Sequence, residues 1–389
     1  MNVALGIAAL RAGGILLLAF SVCASVARGA DAEPSIVPVF VRPLFAHAES
    51  GRNDSSPLWS PAGELIAFER AQEARREIVI ARPDGTVLKT VYYRANTDKD
   101  DLGLGNLLPG LGETVSYNSG LAWASAGDRF VFMSNAGEGN YDLYQGLLAT
   151  DATQRLTEDP QKDGQPHWSP ADGTVLFVSG RDGGAQLFLI DPATRHTKRI
   201  SSGEKAHLYP RWSPDGRRIA VIYGANENHD ILLIENLSDP AGSRRRLTTW
   251  RYDDLSPAWS PDGRKIAFYT NQNPEDDPKV WALVVVDASG DTPTEGEALV
   301  ARIVARNVLP DVSMGPAWLP DSRRIAYVRN DHHDYSPVFL VDVETRESRR
   351  LVTGTNINRE LSCSSQGVLA FRAQVDQWDR IFLAKVEWK

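Results

Sequence analysis

One short pattern recurs seven times along the chain, and it constrains the fold more than any other feature. Pro210-Arg211-Trp212-Ser213-Pro214-Asp215-Gly216 leads into Ile219-Ala220-Val221, and Pro257-Ala258-Trp259-Ser260-Pro261-Asp262-Gly263 into Ile266-Ala267-Phe268. Copies centred on Trp59, Trp168 and Trp318 match closely. A weaker copy has Trp123, and the weakest has Cys363 where the others have tryptophan. The anchors at 59, 123, 168, 212, 259, 318 and 363 are 64, 45, 44, 47, 59 and 45 residues apart. Four of these six spacings fall near 45, the length of one four-stranded propeller blade.

Each copy reads as a strand, a tight turn and a second strand. Proline gives no hydrogen bond and suits the second position of a turn. Asp-Gly supplies a side-chain acceptor and the positive φ that such a turn needs. The β-branched and aromatic run that follows suits a buried strand, and tryptophan is large enough to pack between neighbouring sheets. A third strand follows each copy (Gln186–Ile190 and Ile231–Glu235 among them), and six copies have a polar fourth strand, as an exposed edge requires. The seventh unit lacks its fourth strand. The segment Ile36 to Phe45, whose two prolines restrict it to an edge, is expected to supply it. The sequence therefore predicts an all-β, seven-bladed β-propeller of four-stranded blades, closed by an N-terminal strand in the last blade; six blades is the alternative.

Trp-Ser-Pro-Asp-Gly followed by Ile-Ala-Phe resembles the repeat of the TolB-like propellers, relatives of WD-repeat domains, over essentially all of residues 36–389. The resemblance implies the fold, a periplasmic setting and loops that bind ligands or partners on one face. TolB itself has an additional N-terminal α/β domain, for which this sequence has no counterpart, so the expectation is a propeller-only relative. Related propellers precede prolyl-oligopeptidase-type hydrolase domains, but here the repeats run on to the last residues and no Gly-x-Ser-x-Gly elbow stands in a strand–turn–helix context.

Residues 1–32 differ in kind. Arg11 precedes an apolar stretch from Ile15 to Val22 that runs on to Ala27, and Ala30-Asp31-Ala32 follows as a cleavage pattern, with Ser25-Val26-Ala27 as a second option. This reads as a secretory signal, shorter than the ~20 apolar residues of a membrane span. The expected mature domain is 33–389, periplasmic or secreted, with a retained N-terminal anchor as the alternative. The whole chain has a formal charge of −8, and losing the net +1 of Arg11, Arg28 and Asp31 leaves −9. A mildly acidic protein of this kind does not suit nucleic acid or anionic lipid.

The expected function is a non-catalytic, protein-binding or assembly subunit of a cell-envelope complex, with no catalytic residues assigned. Its positive feature is the stretch from Ala95 to Ser119, which contains Leu102, Leu104, Leu107, Leu108 and Leu111 among glycines. So many leucines in a long loop point to a partner surface or a channel plug. Trp250, Tyr252 and Trp378 complete the candidate partner-binding residues. One alternative is a metal-assisted lyase or hydrolase acting on a sugar or peptide. The oligogalacturonate lyases are similar to TolB-type propellers, and the resemblance implies a divalent metal held by histidines on one face. His207, His229 and His332 are the candidate ligands here. The other alternative is a glycan or small-molecule binding protein. No cofactor is expected beyond a weak divalent metal.

Overall fold

The computed structural model describes residues 33–387 apart from 47–50, 73–74, 94–119, 136–139, 226–227, 250, 273–276, 278, 291–295 and 332–333. Among the described residues its strands form seven sheets, each built on an antiparallel blade of four strands. Blade one comprises Arg52–Trp59, Ile66–Gln72, Arg75–Ala81 and Val87–Tyr93. Blades two to six have their inner strands at Ala122–Trp123, Asp163–Trp168, Ala206–Trp212, Asp254–Trp259 and Ala317–Trp318. Blade seven comprises Asn358–Cys363, Val368–Val375 and Trp378–Lys385, and its fourth strand is Phe40–Pro43.

The N-terminal segment closes the ring as the sequence predicts, and it does more. Phe40 pairs with Lys385 and Pro43 with Phe382, antiparallel, on the outer edge of blade seven. Proline is tolerated there because an outermost strand has one side without a partner. Upstream, Ser35–Ile36 adds a fifth strand to blade six, parallel to Ser348–Leu351, with Ile36 opposite Leu351. One segment thus straps two blades. Residues from Pro34 onward form one compact unit.

The core lies between blades rather than within a central ball. Apolar clusters fill each junction: Ile80, Trp123 and Phe130 between blades one and two, Val131, Trp168 and Phe177 between two and three, and onward round the ring. Trp59, Phe68, Ala370, Ile381 and Leu383 close the last junction, between seven and one. Each blade presents two apolar faces, so its inner strands read as nearly continuous apolar runs such as Ile219-Ala220-Val221-Ile222, all buried.

The tryptophans of the copies pack between blades, as their size implies. The Trp123, Trp259 and Trp318 indole N–H groups donate to the carbonyls of Leu58, Arg211 and Ala258, each one residue before the anchor of the preceding blade, at 3.3, 3.1 and 3.0 Å. The turns follow the sequence logic too. The Gly216 and Gly263 N–H groups donate to Ser213 and Ser260 at 2.8 Å, and Asp215 and Asp262 accept from the following backbone, at φ +68° and +69° for the two glycines.

Candidate functional site

Three residues before the anchor, the inner strands of five blades carry a bulge. Ser56, Gln165, Tyr209, Ser256 and Glu360 adopt φ between 49° and 58° there, and Gly315 stands at 75°. The ladder shifts register around these positions in blades one, three, four, five and seven. A left-handed residue with a side chain costs ~1–2 kcal/mol, so something must hold it. Neighbouring blades do. The Gln165 carbonyl oxygen accepts the Tyr209 N–H at 2.6 Å, and Glu360 accepts the Ser56 N–H at 2.6 Å across the closing junction. The Ser256 hydroxyl donates to Val312 at 3.2 Å. Bulges of this kind re-aim side chains, and here they form a girdle around the ring axis.

A cavity of about 560 Å3 runs from this girdle to the Ser-Pro turns. The five tryptophans of blades one to five flank it; its large polar side chains, Gln165, His167, Tyr209 and Arg211, come from blades three and four, and Ser125, Ser213 and Ser313 also line it. The His167 Nδ1 faces the Trp212 N–H at 3.3 Å and must accept from it. The ring is therefore the Nε2–H tautomer. Burial, and secondarily the Arg211 charge, pushes its pKa down to about 3, so it stays neutral. Arg211 donates to the carbonyls of Pro210, at 3.2 Å, and Ser313. Burial lowers its pKa, but an arginine remains charged.

On the side of blades six and seven, burial pushes the Asp311 and Glu360 carboxyls upward, and the Asp311 charge adds to the rise at Glu360, while Arg372, 3.3 Å from Glu360, opposes both. Asp311 accepts from the Ser313 and Met314 backbone at 3.0 Å.

A second ring of polar residues stands five positions before the anchors: Asp54, Asp163, His207, Asp254 and Asn358, all buried. Reading the copies from Trp-Ser-Pro onward misses it; aligning them five residues further upstream reveals it. Asp54 meets Arg70 at 2.7 Å and Asp163 meets Arg181 at 2.7 Å. Asp254 has no such arginine. Asp163 pairs with Ser179 and Asp254 with Thr270 in their ladders, and two residues on, where blade three has Arg181, blade five has Gln272. Burial therefore lifts the Asp254 carboxyl to about 7, tempered by the hydroxyls of Thr270 and Thr248 and reinforced by Asp230 and Asp253.

The sequence-predicted residues fare unevenly. Leu102, Leu104, Leu107, Leu108, Leu111, Trp250 and His332 lie outside the described residues. Half-buried Tyr252 accepts a hydrogen bond from Arg251 at 3.0 Å. Trp378, half-buried, follows a tight turn in which Asp376 and Gln377 both have positive φ. His207 and His229 do not converge. His207 pairs with Tyr223, and Tyr223 with Asp230, so His229 is one residue out of that row and its side chain leaves the opposite side of the sheet. His207 packs on Tyr223 with both ring nitrogens buried and without a hydrogen bond, and burial pushes its pKa down to about 4. The His229 Nδ1 meets Asp253 at 2.7 Å. No cluster of three potential ligands that could hold a metal occurs among the described residues, and no helix among them is long and apolar enough to cross a membrane.

The family model for the TolB beta propeller domain matches residues 110–299. No curated protein matches the chain in sequence. Among solved structures, the chain resembles the β-propeller domain of the Trilobed protease from Pyrococcus furiosus (14% identity, 87% of this chain and 97% of that one, TM-score 0.58). It also resembles an oligogalacturonate lyase from Vibrio parahaemolyticus (10% identity, 92% and 99%, TM-score 0.58). TolB from Acinetobacter baumannii aligns at 19% identity over 80% of this chain and 66% of its own, with a TM-score of 0.49. At these identities the likenesses concern the fold.

Proposed function

Since this chain is a TolB-like β-propeller, we propose that it is a non-catalytic, exported binding module that docks a protein partner in the cell envelope. The observation that carries this reading is where apolar surface is left open. The large hydrophobic residues most exposed among those described are Val37 (79%) and Val39 (60%), with Val87, Leu88 and Val352. All five lie on the strap or on the outer strands of blades six and one beside it. The Val352 N–H donates to Ile36 and the Val39 N–H to Lys385, which brings three of them together at the closing rim. Scattered exposed apolar residues need no explanation, but a concentration at one place on the rim fits a docking surface. The −9 expected for the mature chain favours a partner with a basic surface.

The test is affinity purification of the mature protein from the envelope fraction, after in vivo photocrosslinking from position 39. One crosslinked partner, lost with Val37→Asp and Val39→Asp together, is the expected result. An unchanged set of partners in that double variant refutes docking at the rim, and recovery from the cytoplasm refutes export. Removing residues 98–112 asks the same of the leucine-rich stretch.

A further inference from the structure

The channel cavity carries an inference independent of the rim. In its lining, blades one to five each place the residue one before the anchor, and blades three and four also the residue three before. One residue before, the chain has Leu58, Ala122, His167, Arg211 and Ala258 in blades one to five. The pseudo-symmetric ring is thus broken in one place: blades three and four bring His167 and Arg211 where their neighbours bring small or apolar side chains. Three residues before, the same two blades bring Gln165 and Tyr209.

The hydrogen bonds already made decide what this polar side of the cavity offers. A backbone N–H can only donate, so its partner atom must be an acceptor. The Trp212 N–H occupies the acceptor nitrogen of His167, which leaves the Nε2–H. The Tyr209 N–H fixes the Gln165 carbonyl oxygen, which leaves the amide N–H groups. Arg211 uses two of its five N–H groups on the carbonyls of Pro210 and Ser313, and makes no ion pair among the described residues. What remains on the three side chains is donors, with one positive charge. The opposite wall, at Leu58, Ala122 and Ala258, is apolar.

We propose that this cavity binds a small apolar carboxylic acid as its anion, the carboxylate on Arg211, His167 and Gln165 and the apolar body against blades one, two and five. A planar guanidinium matches a carboxylate with two parallel hydrogen bonds, which strengthens the contact beyond that of a point charge. Neutral His167 adds a donor but no second charge, so a monoanion fits better than a phosphate dianion. The volume, about 560 Å3, lies within the ~300–1,000 Å3 of ordinary small-molecule sites.

The experiment titrates the mature protein with 1-naphthylacetate and with its neutral analogue 1-naphthylacetamide, by calorimetry and by the fluorescence of the tryptophans around the cavity. The acid should bind at least ~10-fold more tightly than the amide, as a charge-assisted contact requires. Arg211→Gln should abolish that preference while amide binding changes little. Ala258→Leu, on the far wall, should weaken both ligands while leaving the ratio between them. Equal affinity for acid and amide, no binding of either, or a preference that survives in a folded Arg211→Gln protein would each overturn the proposal. The wild-type comparison stands even if that variant does not fold. A tripeptide acid ending in phenylalanine is the control for a chain terminus: if it binds and naphthylacetate does not, the small-acid reading is wrong.

Discussion

Asp254 offers the sharpest quantitative test of the junction chemistry. It is fully buried between blades four and five without the arginine that its counterpart in blade three has, and its pKa rises from 3.8 to about 7. The native state therefore holds this proton where the unfolded chain has released it. Stability falls with rising pH wherever the native state binds more protons. The contribution is intact below the unfolded pKa, is lost between about 4 and about 7, and stays lost above. At 1.36 kcal/mol per unit, the rise amounts to about 4 kcal/mol in full and about 3 kcal/mol between about pH 5 and about pH 9. Asp254→Asn removes the titration. Asparagine is a reasonable occupant, because blade seven has Asn358 at the same position of the repeat. Urea unfolding of both proteins at the two pH values gives the assay. The variant should gain about 3 kcal/mol relative to the wild type on going from pH 5 to pH 9. Comparing the two differences cancels any pH-independent effect of the amide on packing. If the two proteins respond to pH in parallel, within about 0.5 kcal/mol, the buried carboxyl is ionised throughout and the reasoning fails.

Gln272→Arg places an arginine where blade three has Arg181 and should flatten the same pH dependence, read by the same unfolding curves. Gly216→Ala should destabilise by at least about 2 kcal/mol, since φ +68° is strained for alanine and its Cβ would stand 2.6 Å from that of Ala171; Gly183→Ala, at φ +81° with nothing within 4 Å, should show the strain of about 1–2 kcal/mol by itself. Glu360→Ala strands the Ser56 N–H at the closing junction and should cost about 1–3 kcal/mol, whereas Glu360→Gln keeps an acceptor there and should cost less, both by denaturant midpoint. Ile36→Ala empties the buried end of the strap in blade six and should lose about 2–4 kcal/mol, measured by thermal unfolding.

The repeat made the architecture readable because every copy repeats one physical solution: an inter-blade tryptophan, a proline-led turn and a doubly buried strand. Even the weakest copy kept its fold without tryptophan, since Cys363 still ends an inner strand and Leu369-Ala370-Phe371 still fill the next. The parallel pairing of Ser35–Ile36 with blade six was not readable, because two residues carry no periodicity. The histidines illustrate the limit for sites. Shared placement on one face of the ring says nothing about which side of a sheet each side chain takes, and in blade four a one-residue offset separates His207 from His229.

In a ring of near-identical blades, chemistry has to come from departures from the repeat, and the departures here fall into two kinds. Where a polar residue of the repeat loses its compensation, as Asp254 does, the result is a titrating group sealed between blades and out of reach of any ligand. Where a small inward position is replaced by a larger polar one, as at His167 and Arg211, the new group enters the channel, which solvent and ligands can reach. Both kinds can be found by stacking the seven copies on their anchors and comparing columns. Stacking alone does not distinguish them. The bulge of the inner strand does: in blades three and four the residues one and three positions before the anchor line the cavity, while Asp163 and His207, five before, lie beyond the bulge and are buried. In these blades the bulge therefore divides the polar positions into those buried between blades and those that face the channel.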